Sequence, residues 1–233
     1  MSEIIRIDLG GVNCYLAKCE NGFILFDTGG HLVMDKEFTN RCERLQNELE
    51  AAGCTKDRLQ LIVLTHGDND HACNAAIIRA YFHTKIAMHG GDRKLVEEPS
   101  LNEWMESFHY HSIIYRLVFG LMSKTVEKLT RKTLDEFKQF SPDILLEDGF
   151  DLSEYGLDAK VIHVPGHTKG SIAVLTHGGD LIAGDTFANM NKPSPALNAN
   201  DFTQLAASID KLKNFAIETV YPGHGKPFRF GEV

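Results

Sequence analysis

Histidines and aspartates gather at four places: Thr65-His66-Gly67-Asp68-Asn69-Asp70-His71, Pro165-Gly166-His167-Thr168, Gly184-Asp185-Thr186 and Pro222-Gly223-His224-Gly225. Neutral imidazole and carboxylate are standard ligands for divalent metals. In the first segment, candidate ligands at i, i+2, i+4 and i+5 can turn several side chains toward one cavity, while flanking glycine lets the backbone bend without a Cβ clash. One such segment alone reads as an ordinary turn, because Asp, Asn and Gly are common in loops. The repetition, each time just beyond an apolar run, is the pattern of a metal centre.

The elements that must carry these segments alternate between strand and helix. Residues 1–30 read as short strands with turns at Gly10-Gly11 and Asn21-Gly22, and the run Phe23-Ile24-Leu25-Phe26 ends in Asp27-Thr28-Gly29-Gly30. Phe38, Cys42, Leu45, Leu49 and Ala52 fall at helical spacing after Asp35, with Gly53 placed to stop the helix. Leu61-Ile62-Val63-Leu64 reads as a buried strand, so His66 to His71 begins where a strand ends. A helix through Ala75–Arg79 and a strand at Lys85-Ile86-Ala87-Met88 follow.

From about residue 92 to 140 the pattern becomes helical, an insertion whose Trp104, Phe108, Ile113, Ile114, Leu117, Val118 and Leu121 are expected to pack it against the core. Strands resume at 159–164, 171–175 and 180–183. A helix near 202–216 puts Leu205, Ile209 and Leu212 on one face, and a last short strand leads into Tyr221-Pro222-Gly223-His224.

With 233 residues, 43% of them hydrophobic, the chain can bury a substantial core, and one compact domain over residues 1–233 is the default expectation. A net charge of −8 opposes the basic footprint of a nucleic-acid binder. The five cysteines are odd in number with no C-x-x-C pair, which fits reduced thiols better than a disulfide framework. The amino terminus lacks a basic region followed by a long apolar one. The expectation is a cytoplasmic protein with no membrane or nucleic-acid partner.

The order of Asp27-Thr28-Gly29, the His66–His71 box, His167, Asp185 and His224 resembles the metallo-β-lactamase superfamily over essentially the whole chain. The resemblance implies an α/β fold, a four-layer αββα sandwich of two mixed sheets with helices outside, here with a helical insertion. It also implies two divalent ions, zinc first, with iron or manganese as alternatives. His66 and His167 would hold one ion, Asp70, His71 and His224 the other, and Asp185 would bridge them. Asp27 would support the site from behind the ligands.

One position departs from the family. Most members read His-x-His-x-Asp-His, so position 68 would be a histidine on the first metal, whereas this chain has Asp68. The extra negative charge predicts a harder first site, more tolerant of manganese or iron, and a less acidified bound water.

What the resemblance implies chemically is metal-dependent hydrolysis, with hydroxide generated between the two ions and oriented by Asp70 and Asp185. Small-molecule esters, lactones, thioesters and phosphodiesters are the expected substrates. A glyoxalase-type thioesterase is disfavoured, because only Gly225 to Val233 follow His224. The alternatives are a non-haem iron oxidoreductase on the same cradle and a metal-binding protein without turnover. The insertion lies between His71 and His167 and is placed to act as a lid, with Tyr110, His109 and His111 as candidate substrate contacts; an exposed apolar face on it would instead suggest a homodimer. Lys169 and Lys192, beside the loops of His167 and Asp185, could meet an anionic group. His31, His83, His89, His163 and His177 read as ordinary histidines, with His31 and His89 the two to watch.

Overall fold

The computed structural model describes residues 3–32, 38–106 and 109–233. Six strands form a first sheet in chain order: β1 (Ile4–Asp8), β2 (Asn13–Cys19), β3 (Gly22–Phe26), β4 (Leu59–Val63), β5 (Ile86–His89) and β6 (Ile144–Leu146). The first three are antiparallel and β3 to β6 run parallel. Parallel neighbours need crossovers, and helices supply them. α1 (Cys42–Ala51) precedes β4, α2 (Asn69–Ala72) and α3 (Ala75–Phe82) precede β5, and α4 (Arg93–Glu97), α5 (Leu101–Glu106) and α6 (Ile113–Glu136) precede β6.

The second sheet comprises β7 (Ala159–His163), β8 (Ile172–Thr176), β9 (Asp180–Asn189), β10 (Ser194–Pro195), β11 (Thr219–Gly225) and β12 (Phe228–Arg229), with α7 (Phe202–Leu212) before β11. Its order is β12-β11-β9-β8-β7, and β10 pairs with β9.

Strand alternation sorts the apolar side chains into three cores. Along β3, Phe23 and Leu25 face the helices while Ile24 and Phe26 face the other sheet; in β4, Ile62 points out and Leu61 and Val63 point in. In the second sheet Val161, Ile172, Val174 and Ile182 meet that inner layer, and Ile162, Ala173, Leu181 and Ala183 pack with Leu212 of α7. A period of two on strands covered on both sides gives the four-layer αββα sandwich.

Three expectations change. α1 starts at Cys42, because Phe38 (φ 43°) and Arg41 (φ 55°) are left-handed and break the helix that Phe38 was expected to join; Asp35 lies outside the described residues. The second half of the His66–His71 box is the helical turn α2 instead of a loop, and the His224 segment lies within β11 instead of beyond it.

A further change concerns the insertion. Trp104 is buried against Phe137, with ring centroids 5.2 Å apart, and His31 Nε2 lies 3.0 Å from Glu136 Oε2, so both ends of the insertion are anchored. Ile113, Ile114, Leu117 and Leu121, however, are 65–89% exposed and do not pack on the core as expected, because the buried face of α6 runs through Val126, Thr130 and Thr133. Phe108 lies outside the described residues. Among the described residues, no helix is long and apolar enough to cross a membrane.

Candidate metal centre

The predicted ligands arrive from separate strands, most from strand ends but Asp185 from mid-strand instead of beyond the apolar run, because β9 continues to Asn189. Asp27 follows β3, the His66–His71 box follows β4, His167 sits in the β7–β8 connection, Asp185 lies within β9 and His224 near the end of β11. β9 and β11 pair in parallel, with register shifts on either side of Pro222. Such irregularities re-aim a side chain, and here they turn His224 inward. Gly223 is required beside it, since a Cβ there would strike Asp185 Oδ1 and lie 2.8 Å from His71 Cε1.

Two triads result. His66, His167 and Asp185 bring one ligand atom each within 4.8 Å of one another, as do Asp70, His71 and His224. Asp185 stands between them, with Oδ1 3.3 Å from His71 Nε2 and Oδ2 3.2 Å from His224 Nε2 and 3.7 Å from His167 Nε2. Asp68 Oδ2 is 3.2 Å from His167 Nε2 and 3.9 Å from His66 Nε2, so the departing residue reaches the first triad.

Hydrogen bonding behind the rings sets which nitrogen faces inward. Thr65 Oγ1 donates its one proton to Asp27 Oδ2 (2.8 Å), so at 2.9 Å from His66 Nδ1 it accepts. His71 Nδ1 donates to Asp27 Oδ2 (2.8 Å), His167 Nδ1 to the Asn198 carbonyl (3.0 Å) and His224 Nδ1 to the Gly11 carbonyl (2.6 Å). Every neutral ring is thereby left with its Nε2 lone pair toward the cluster. Nε2 of His66, His71 and His167 and Oδ1 of Asp185 are buried without any hydrogen-bond partner. Unpaired buried polar atoms are costly, and four aimed at one small space fit a cation.

The sequence profile of the metallo-beta-lactamase superfamily matches residues 7–224. The chain belongs to this superfamily. A probable metallo-hydrolase of Methanocaldococcus jannaschii is 30% identical over 200 residues, covering 84% of this chain and 83% of the relative. A hydroxyacylglutathione hydrolase of Aeromonas hydrophila subsp. hydrophila is 54% identical over 85 residues, which cover 34% of this chain and 30% of that enzyme. Among solved structures, the BLEG-1 B3 metallo-beta-lactamase shares the fold with a TM-score of 0.70 at 24% identity, over 100% of this chain and 95% of the other.

Charge is distributed unevenly across the cluster. Burial works against protonation of His71 and His224, but Asp185 and the neighbouring carboxylates outweigh it and hold both well above the usual imidazole range. His167 is likewise pushed up to about 9, with Asp68 and Asp185 overcoming burial. His66 falls well below its ordinary value through burial and the nearby His71 and His167. Despite burial, His224 and His71 hold Asp185 well below the carboxylate range. The cluster attracts positive charge, and in the absence of metal protons supply it.

Asp92 escaped the sequence reading. It is 2% exposed; Oδ2 accepts from Gly67 N–H (2.9 Å) and the Thr168 hydroxyl (2.6 Å), and Oδ1 from Gly170 N–H (2.7 Å). It thus ties the loop of His66 and Asp68 to the loop of His167. An available signal was overlooked: Gly90-Gly91-Asp92 follows an apolar strand just as the recognised segments do. Asn13 and Tyr15 likewise hold the His224 segment, the Asn13 amide donating to the Pro222 and Gly225 carbonyls (both 2.8 Å) and the Tyr15 hydroxyl to Pro222 (2.7 Å).

The remaining candidates separate. Tyr110 bridges Asn198 through its backbone and stacks on Phe119, and burial together with Asp70 and Asp185 raises its phenol far above the ordinary value. His109 and His111 lie edge-on to Phe202, at 5.9 and 5.2 Å. Lys169 lines a depression shared with Asp68 and Asp92. Lys192 is exposed in the β9–β10 turn, where no described contact links it to the cluster. His31 is taken up by Glu136, and His89 stacks on His163 with centroids 3.9 Å apart; neither faces the triads.

Proposed function

We propose that this chain is a dinuclear metal-dependent hydrolase of acyl substrates: esters, lactones or thioesters. The observation that carries the reading is the set of buried, unpartnered atoms, Nε2 of His66, His71 and His167 and Oδ1 of Asp185, facing one another. His66, Asp68 and His167 would hold one ion, Asp70, His71 and His224 the other, with Asp185 shared. Bound divalent ions supply a water acidic enough to attack near neutral pH and a Lewis acid for the carbonyl oxygen.

The chain's own groups do the rest. Asp27 fixes His71 through Nδ1, and Thr65 fixes His66, so neither ring has to reorganise during reaction. Asp70 and Asp185 are held ionised and orient the attacking oxygen as acceptors. Tyr110 is held as a neutral phenol and so keeps a proton to donate to a substrate oxygen. The local similarity to a hydroxyacylglutathione hydrolase supports keeping thioesters in the set.

The test is metal analysis of purified protein combined with a screen of lactones, thioesters, esters and bis-p-nitrophenyl phosphate under zinc, manganese and iron loading. The expected result is two metals per chain, acyl hydrolysis in preference to phosphodiester hydrolysis, and loss of turnover by about 100-fold or more in Asp185→Asn or His71→Ala. Full activity in either variant overturns the assignment. A second reading, oxidoreduction by non-haem iron, rests on the carboxylate Asp68 in the first triad; oxygen consumption by the iron-loaded protein, without hydrolysis, would select it.

A further inference from the structure

Gly120 is the eighth residue of α6, in the interior of a helix of 24 residues. Glycine is among the poorest helix formers, so inside a helix it normally answers to a neighbour that needs the room. Here none does: a Cβ at Gly120 meets nothing within 4 Å, and its backbone is not left-handed. What the missing side chain leaves is space. Gly120 lines a cavity of about 290 Å³ between α5 and α6, whose apolar walls are Met105, Tyr110, Phe119 and Val126.

Tyr110 joins this cavity to the metal centre. Its ring stacks on Phe119 with centroids 4.4 Å apart, and its backbone bridges Asn198, the residue whose carbonyl holds His167 Nδ1. Arg116 also lines the cavity, and among the described residues its guanidinium has no carboxylate partner. An unpaired guanidinium beside an apolar wall suits a ligand that is apolar along its length and anionic at one end. Small-molecule pockets start at roughly 300 Å³, so this open space is enough for a chain of moderate length.

Building on the hydrolase reading, we infer that this cavity receives the acyl arm of the substrate, a medium-length chain whose anionic end meets Arg116 while its carbonyl lies at the metal centre beside Tyr110. Gly120 sets the depth of that pocket and hence the chain length accepted.

The experiment has two arms. In the first, kcat/KM is measured for p-nitrophenyl acetate, butanoate and octanoate and for the p-nitrophenyl half-ester of suberic acid, using the metal-loaded protein. In the second, octanoate binding to metal-free protein is followed by calorimetry. Octanoate is expected to exceed acetate at least tenfold and the half-ester to exceed octanoate. Gly120→Leu, which adds a good helix former where there is room, should cut the octanoate-to-acetate ratio at least tenfold and abolish octanoate binding; Arg116→Gln should erase the advantage of the half-ester. Equal kcat/KM across chain lengths, or octanoate binding unchanged in Gly120→Leu, overturns the proposal. If no ester, lactone or thioester is hydrolysed under any metal, the hydrolase reading fails, and octanoate binding that disappears in Gly120→Leu still upholds the cavity as an acyl site.

Discussion

Replacing Asp92 with Asn tests whether the ligand loops are held by this one carboxylate. Asn keeps Oδ1 for Gly170 N–H but puts an amide NH₂ where Oδ2 had accepted from Gly67 N–H and the Thr168 hydroxyl. The hydroxyl can rotate and accept; the Gly67 N–H cannot, and a buried donor without an acceptor costs about 1–3 kcal/mol. The two remaining bonds lose their charge assistance, roughly another 1 kcal/mol together. Opposing this, burial pushes the Asp92 carboxyl pKa up, so removing the charge relieves some desolvation. Three donors already offset much of that burden, so the loss wins, by about 2 kcal/mol net.

For a chain of this length, about 2 kcal/mol corresponds to a melting point roughly 4–8 °C lower, readable by calorimetry on metal-free protein. The metal readout is more specific. Asp92 clamps the loops of His66, Asp68 and His167, and none of its hydrogen bonds reaches His71 or His224, so under the proposed dinuclear reading metal content should fall from two ions toward one. Asp92→Ala strands the Gly67 and Gly170 N–H groups, leaving the Thr168 hydroxyl to Ser171 Oγ, and is expected to yield little folded protein. An Asp92→Asn variant that melts with the wild type and retains both metals would refute the clamp.

Asp68→His restores the commoner ligand and removes one negative charge, so zinc should gain on manganese and iron in competitive loading; unchanged selectivity would mean that Asp68 does not bear on the metal. Burial holds the His31 pKa below the ordinary imidazole value, with Glu136 pulling the other way. The unfolded chain therefore binds more protons than the folded one, and stability falls as pH drops through about 6.5 toward the folded value; hydrogen exchange in α6 should quicken over that window, and His31→Gln should flatten the response. The exposed Ile113, Ile114, Leu117 and Leu121 form a stripe of the kind monomers rarely leave open. Self-association through it predicts a dimer in sedimentation that Leu121→Glu dissociates, and a monomeric wild type would exclude it.

The candidate metal-binding segments could be picked out because metal chemistry restricts residue type severely, and the structure brings His66, Asp70, His71, His167, Asp185 and His224 into groups that could hold a metal ion. Sandwich strands were legible for a related reason: Leu61 to Leu64 bury both faces and leave no polar alternation, while in Ala159–His163 only Lys160 and His163 interrupt the buried run. The insertion was not legible. Its apolar residues repeat at helical spacing whether they face a core, a ligand or another molecule, and only the placement of Val126, Thr130 and Thr133 against the protein decides which stripe is inside.

Asp92 marks a different limit. Its sequence context matched the recognised segments, yet its oxygens point at backbone N–H groups and a hydroxyl instead of into the triads. Sequence position can nominate an aspartate at a strand end, but whether it faces the cavity depends on the few residues that follow. After Asp68, helix α2 swings Asp70 and His71 inward. After Asp92, helix α4 begins immediately and Leu95 packs over Gly67, keeping the carboxylate behind the loop it holds. That difference separates an atom placed to bind a cation from one placed to position the atoms that do.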